Sequence, residues 1–175
     1  MLISGESKLQ ARGNLANRNR EIERKFLILD PPSLSDAEGS ILIRQGYITS
    51  GEALNEVRVR QIGSEYLLGV KSGGGIERTE VEIPLELEQF TPLWTLTEGW
   101  RLEKRRFFFP FRNHRIELDV YAGHIAPLMV AEVEFDTIEE SSRFEPPGWF
   151  GTEISGVTEY RNSRLARYGF PAPKE

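Results

Sequence analysis

Glu21-Ile22-Glu23-Arg24-Lys25-Phe26 sets two carboxylates and an ammonium at every second position. In an extended strand alternate residues share one face. Glu21, Glu23 and Lys25 then point one way, and Ile22 and Phe26 the other. The design returns along the chain. Arg58 and Arg60 flank Val59, Glu80 and Glu82 flank Val81, and Lys104 and Arg106 flank Arg105. Glu117 and Asp119 flank Leu118, and Glu132 and Glu134 flank Val133. Charged strand faces of both signs predict one shared polar surface.

The 175 residues suit a single domain with a sizeable core. Hydrophobic residues make up 39% and charged residues 28%, the profile of a water-soluble globule. The formal net charge of -5 argues against general nucleic-acid binding, which needs a positive excess. There are no cysteines, so disulfides, thiolate metal sites and cysteine nucleophiles are excluded. No apolar run is long enough to cross a bilayer, and no signal-peptide core is visible. These features fit a cytoplasmic protein without a membrane partner.

Residues 1–20 read as a flexible tail, with scattered Gly, Asn and Ser and little apolar periodicity. Residues 21–175 read as one domain. Strands are predicted at Glu21–Leu29, Ser40–Tyr47, Asn55–Gln61, Tyr66–Lys71, Glu77–Ile83, Leu102–Phe109, His114–Tyr121 and Val130–Phe135. Gly73-Gly74-Gly75 reads as a turn, because it lacks the Lys-Ser/Thr that completes a phosphate-binding P-loop. Thr91-Pro92 predicts a helix start, with Gly99 as its stop. A second helix is predicted from about Thr158 to Tyr168, ended by Gly169.

An alternating strand ordinarily turns its polar face to water. Here the polar positions are almost all ionised and segregate by sign, strand by strand. If the sheet curls, its apolar face points outward under the helices and the charges line a hydrated bore. Unpaired buried charge is very costly, so such a bore must hold water, ions or a charged ligand. Carboxylates are ligands that Mg2+ or Mn2+ prefers, and Arg and Lys grip phosphate oxygens. The set suits phosphoryl transfer, which depends on positioning and charge stabilisation. His114 and His124 lack metal-ligand spacing, and no Ser-His-Asp arrangement has local support.

The ordered set resembles the ExExK signature of the CYTH superfamily, the triphosphate tunnel metalloenzymes. The resemblance runs from Glu21 to about Phe170. It includes Gln45-Gly46-Tyr47-Ile48, Lys71, Lys104-Arg105-Arg106, Gly151-Thr152-Glu153-Ile154 and Tyr160-Arg161-Asn162-Ser163, in the manner of the short bacterial branch. It implies an α+β, mainly β fold: a closed antiparallel eight-stranded tunnel barrel with flanking helices. It implies a metal set of Glu21, Glu23 and Glu134 with Glu132 and Asp119, holding Mg2+ or Mn2+. Lys25, Arg58, Arg60, Lys71 and Arg106 become triphosphate ligands. Lys104 and Tyr47 become catalytic candidates, joined by Glu80 and Glu82 at the remaining acidic tunnel positions. Arg105 departs from the family pattern and should point outward.

The implied reaction is metal-dependent hydrolysis of inorganic triphosphate to pyrophosphate and phosphate. Class IV adenylate cyclase, thiamine triphosphatase and nucleoside triphosphatase are the alternatives within the superfamily. A noncatalytic polyphosphate-binding module is a weaker alternative, since it would not need the complete carboxylate set. The partner is a triphosphate-containing small molecule. An uncovered apolar strand face leaves a homodimer open.

Overall fold

The computed structural model describes residues 20–49, 55–72 and 77–171. The tail expectation and the Gly73-Gly74-Gly75 turn therefore lie outside the described residues, apart from Arg20, which opens the first strand. The protein is mainly β, eight antiparallel strands in one strongly curled sheet with few helices. The strands are β1 (Arg20–Leu27), β2 (Gly39–Tyr47), β3 (Asn55–Ile62), β4 (Glu65–Ser72), β5 (Glu77–Leu85), β6 (Arg101–Phe111), β7 (His114–Tyr121) and β8 (Met129–Glu134). Each predicted strand forms, because each carries a period-2 pattern bounded by turn residues.

The pairing order β1-β5-β4-β3-β2-β6-β7-β8 returns to its start. Among the described residues, Arg20–Ile22 of β1 pair with β5 and Glu23–Leu27 pair with β8. On the edge away from β8, Leu27 is taken by the segment 151–154: Leu27 N–H donates to Thr152 O at 2.9 Å, and Gly151 N–H to Leu27 O at 2.8 Å. Ile154 N–H donates to Lys25 O at 2.8 Å. A Cβ at Gly151 would lie 2.6 Å from Leu27 O, so this close approach requires glycine.

Burial follows the alternation. Ile22, Phe26, Ile116, Leu118, Ala131 and Val133 face outward into a core completed by Phe135 and Phe144, with Trp149 and Phe150 packed against it. Arg24 clamps that cover. It pairs with Glu153 at 2.7 Å and donates to the carbonyls of Ser141 and Phe144. A second cluster fills one end of the curl. Tyr47, Leu102, Tyr121 and Val130 pack with Leu165 and Ala166.

The helices differ from expectation. The first, α1 (Leu87–Thr95), begins a turn before Thr91-Pro92. Glu86 and Gln89 form a capping box there, with Glu86 N–H donating to Gln89 Oε1 at 2.9 Å, so Pro92 falls inside the helix. An unforeseen α2 (Ile138–Arg143) is capped by Thr137, whose Oγ1 accepts from Glu140 N–H at 3.0 Å. The last predicted helix is broken. A 3-10 turn at Thr158–Tyr160 precedes an extended Arg161, and α3 (Asn162–Tyr168) follows, stopped by Gly169 at φ 76° as expected.

Candidate active site

Register decides which charges meet. Glu23 lies opposite Glu134 and Lys25 opposite Glu132. Lys71 lies opposite Glu80 and also Glu56, and Arg106 opposite Asp119. Arg105 points away and is exposed, as its parity requires. Together the predicted residues line one concave face.

One wall is a set of charge-matched rungs. Arg58 donates to Glu80 and Arg60 to Glu82 in short ion pairs. Gly69, opposite Arg58, leaves the space it needs: a Cβ there would lie 3.3 Å from the Arg58 Cγ and Nε. Burial works against the ionised form of Glu80, yet Arg58, Lys71 and Arg60 pull its carboxyl down to about 2. Burial and then Arg58 pull Arg60 the other way, to about 10. Glu80 and Glu82, candidates for catalysis by sequence, are thus the partners of the two arginines. A carboxyl near 2 is a weak base at neutral pH.

The opposite wall is knit by Arg106. It forks onto Asp119 with Nε–Oδ1 and Nη2–Oδ2 distances of 2.7 Å, reaches Glu132 at 2.6 Å and also meets Glu117. Lys25 bonds Glu132 at 2.7 Å. Despite burial, Lys25, Lys104 and Arg106 hold the Glu132 carboxyl well below the usual range. Asp119 and Glu132, expected in the metal set, are therefore embedded among cations.

Between these walls negative charge accumulates. Glu21 contacts Lys71 in a short pair, and Glu23 lies 3.2 Å from Lys25. Even so, burial and then the Glu23 charge raise the Glu21 carboxyl. Glu134 is reached by water, but the surrounding walls strip much of its hydration. That dehydration, with Glu117, Glu21 and Glu23 as neighbours, pushes it up to about 7. Carboxyls raised by dehydration and by one another's charge are suited to a divalent cation, which relieves the repulsion. Among the described residues no three acidic side chains already stand at metal-binding separation. Glu21, Glu23 and Glu134 fit the cation better than Glu132 and Asp119, which are already neutralised.

Lys104 is 2% exposed and forms a short ion pair with Asp119. Burial nevertheless lowers its pKa. Its ammonium lies 5.5 Å from the centroid of the Tyr121 ring. Tyr121 O–H donates to Asn162 Oδ1 at 2.5 Å, which fixes the start of α3 beneath the site. Tyr47 is fully buried, accepts from Gln45 Nε2 at 2.5 Å, and is pushed up by burial, so it stays a neutral phenol.

The alternation missed Arg161. It lines an opening with Lys25, Arg58, Lys71, Glu56 and Tyr160. Its buried Nε has no hydrogen-bond partner among the described residues. Arg161 sits at the cap of α3, where no strand parity announces it. Glu117 was legible as the first member of Glu117-Leu118-Asp119, and its role as an Arg106 partner appears only in three dimensions. No helix among the described residues is long and apolar enough to cross a membrane.

No protein-family model matches the chain. An inorganic triphosphatase of Nitrosomonas europaea is 45% identical over 148 residues, spanning 83% of this chain and 96% of that protein. An inorganic triphosphatase of Acetivibrio thermocellus is 34% identical over 158 residues, spanning 89% and 99%. A crystal structure of an inorganic triphosphatase superposes with a TM-score of 0.65 at 41% identity, covering 86% of this chain and 97% of the other.

Proposed function

The chain belongs to the inorganic triphosphatases of the CYTH superfamily, and we propose that its charged bore hydrolyses tripolyphosphate to pyrophosphate and phosphate with Mg2+ or Mn2+. It is a phosphoanhydride hydrolase. One observation carries the residue assignment: carboxyls raised by dehydration and then by one another's charge face cations of both walls across the same concave surface.

Glu21, Glu23 and Glu134 would hold the divalent cation, which would supply charge neutralisation and orientation to the phosphate oxygens. Arg58, Arg60 and Arg106 present guanidinium forks to the phosphates, and Lys25 and Lys71 act as point charges. Glu80, Glu82, Asp119 and Glu132 hold these cations in place and prevent the empty bore from being a cluster of unpaired positive charge. Lys104 positions the attacking water; with its pKa lowered by burial it can act as the neutral amine, released from Asp119, and then takes up the water's proton at Nζ. Tyr47, a neutral phenol, steadies the phosphate or water beside it.

The test is a substrate panel of tripolyphosphate, ATP, thiamine triphosphate and pyrophosphate with either metal, with all products followed. Tripolyphosphate should yield phosphate and pyrophosphate in the fastest turnover. Cyclic AMP from ATP would reassign the chain to the cyclases. Preferred turnover of thiamine triphosphate or ATP would reassign the substrate. Tight metal-independent binding without turnover would make it a binding module.

A further inference from the structure

Among the described residues, four cations meet at the opening beside α3. Lys25 comes from β1, Arg58 from β3 and Lys71 from β4. Arg161 comes from the extended residue between the Thr158–Tyr160 turn and α3. One carboxylate, Glu56, stands with them, 3.9 Å from Arg58. The three strand cations each hold a carboxylate of the bore: Lys25 holds Glu132, Arg58 holds Glu80 and Lys71 holds Glu21. Arg161 pairs with no carboxylate among the described residues, and its buried Nε has no hydrogen-bond partner there. A dehydrated guanidinium N–H without an acceptor is costly, and an incoming anion would satisfy it.

The surroundings decide which part of a phosphate chain arrives. Ile154 and Tyr160 line the same opening, and both pack in the apolar cluster that fills this end of the curl. The space left between the side chains is about 30 Å3, on the scale of one water molecule. A phosphate chain can present its tip here, whereas a sugar or an aromatic ring does not fit. A terminal phosphate also differs from an internal one in charge. It carries about -1.5 to -2 near neutral pH and three acceptor oxygens. An internal phosphate is bridged on both sides and keeps a single charge. The strand cations are already offset by their carboxylates, so the extra charge falls to Arg161.

We propose that Arg161 is a specificity-determining residue for the free end of the substrate: its guanidinium seats the terminal phosphate beside Lys25, Arg58 and Lys71. This rests on the reading that the bore takes a triphosphate, and deepens it by assigning one end of that substrate to one residue. A chain with an unesterified end is then favoured over a cyclic or doubly capped one of the same phosphate count.

Two probes separate an end from a middle. Bis(phosphonomethyl)phosphinate is an open chain of three phosphorus groups whose carbon bridges water does not cleave. Cyclic trimetaphosphate has three phosphates and no end. Titration calorimetry with Mg2+ reads the binding of both without turnover. Arg161→Gln should weaken the open chain about tenfold, the loss of one charge-assisted contact, and leave trimetaphosphate within about twofold of its affinity for the unmodified protein. Arg161→Lys should recover the open-chain affinity to within about threefold, since it restores the charge and loses only the fork. Equal weakening of the two probes would make Arg161 a general cation and overturn the assignment. So would undiminished open-chain binding in Arg161→Gln, or no recovery in Arg161→Lys. The expected binding difference without any tripolyphosphate turnover would uphold the end-reading role and refute the hydrolase reading alone.

Discussion

Glu80 and Glu134 are the same residue type lining the same bore, and their carboxyls lie at about 2 and about 7. Both are dehydrated by the walls. The difference is company. Glu80 has Arg58, Lys71 and Arg60 beside it, whereas Glu134 has Glu117, Glu21 and Glu23. The first arrangement is complete in itself and holds arginines in fixed orientation. The second is complete only with an added cation. Neighbours, rather than residue type, divide a uniformly charged lining into the proposed phosphate grip and the proposed metal seat.

The comparison breaks most directly at the metal seat. Glu23→Ala should lower kcat/KM about a thousandfold, about 4 kcal/mol of transition-state stabilisation, when metal is limiting, with the melting temperature little changed. Undiminished turnover at limiting Mg2+ or Mn2+ would remove Glu23 from the seat. Lys104→Ala should cut kcat about a hundredfold with a smaller change in KM, since Arg106 still neutralises Asp119 and the fold survives. A rise in KM alone would make Lys104 part of the grip. Arg161→Ala should raise KM about tenfold with kcat nearly unchanged, the mark of a lost phosphate contact. Unaltered steady-state constants would confine Arg161 to packing.

The smallest effect is the most specific, because Glu80 and Glu134 respond to pH with opposite sign. A raised carboxyl such as Glu134 favours a folded state that keeps the proton. Its contribution to stability is full below the unfolded value near 4.5 and is lost as pH rises toward about 7. Glu80 contributes above 4.5 and loses that contribution as pH falls toward about 2. In chelator-treated protein, Glu134→Gln should therefore flatten the decline of stability between pH 4.5 and 7 and leave the acid limb intact. Mn2+ affinity of the unmodified protein should tighten through the same interval and level off above it, since the ligand must shed its proton. Denaturant titrations and metal titrations across pH measure both. A flat Mn2+ affinity from pH 5 to 8 would place the cation away from Glu134.

Much of this was legible in the chain. The Glu21-Ile22-Glu23-Arg24-Lys25-Phe26 alternation gives the inward face of β1, and the same parity gives Arg58, Arg60, Lys104 and Arg106 their direction. It also sends Arg105 outward. The N-cap of α2, Thr137 with Glu140 three residues on, was present but lay beside a stronger strand pattern. The start of α1 was misread because Thr91-Pro92 imitates a helix entry, while Glu86 and Gln89 satisfy the free amides a turn earlier. Arg161 was invisible to any periodicity, since its place depends on how the last helix lies across the end of the sheet.

The chain by itself determined which side chains share a face, because a strand alternates sides with a period of two. It could not determine which carboxylate meets which cation, because that depends on register between strands far apart in sequence. Only the tertiary structure opposes Glu23 to Glu134 and Lys25 to Glu132, and sets β1 beside β5. Charges interact through space with an energy that falls with distance and rises with dehydration. Both quantities are set by the curl of the sheet.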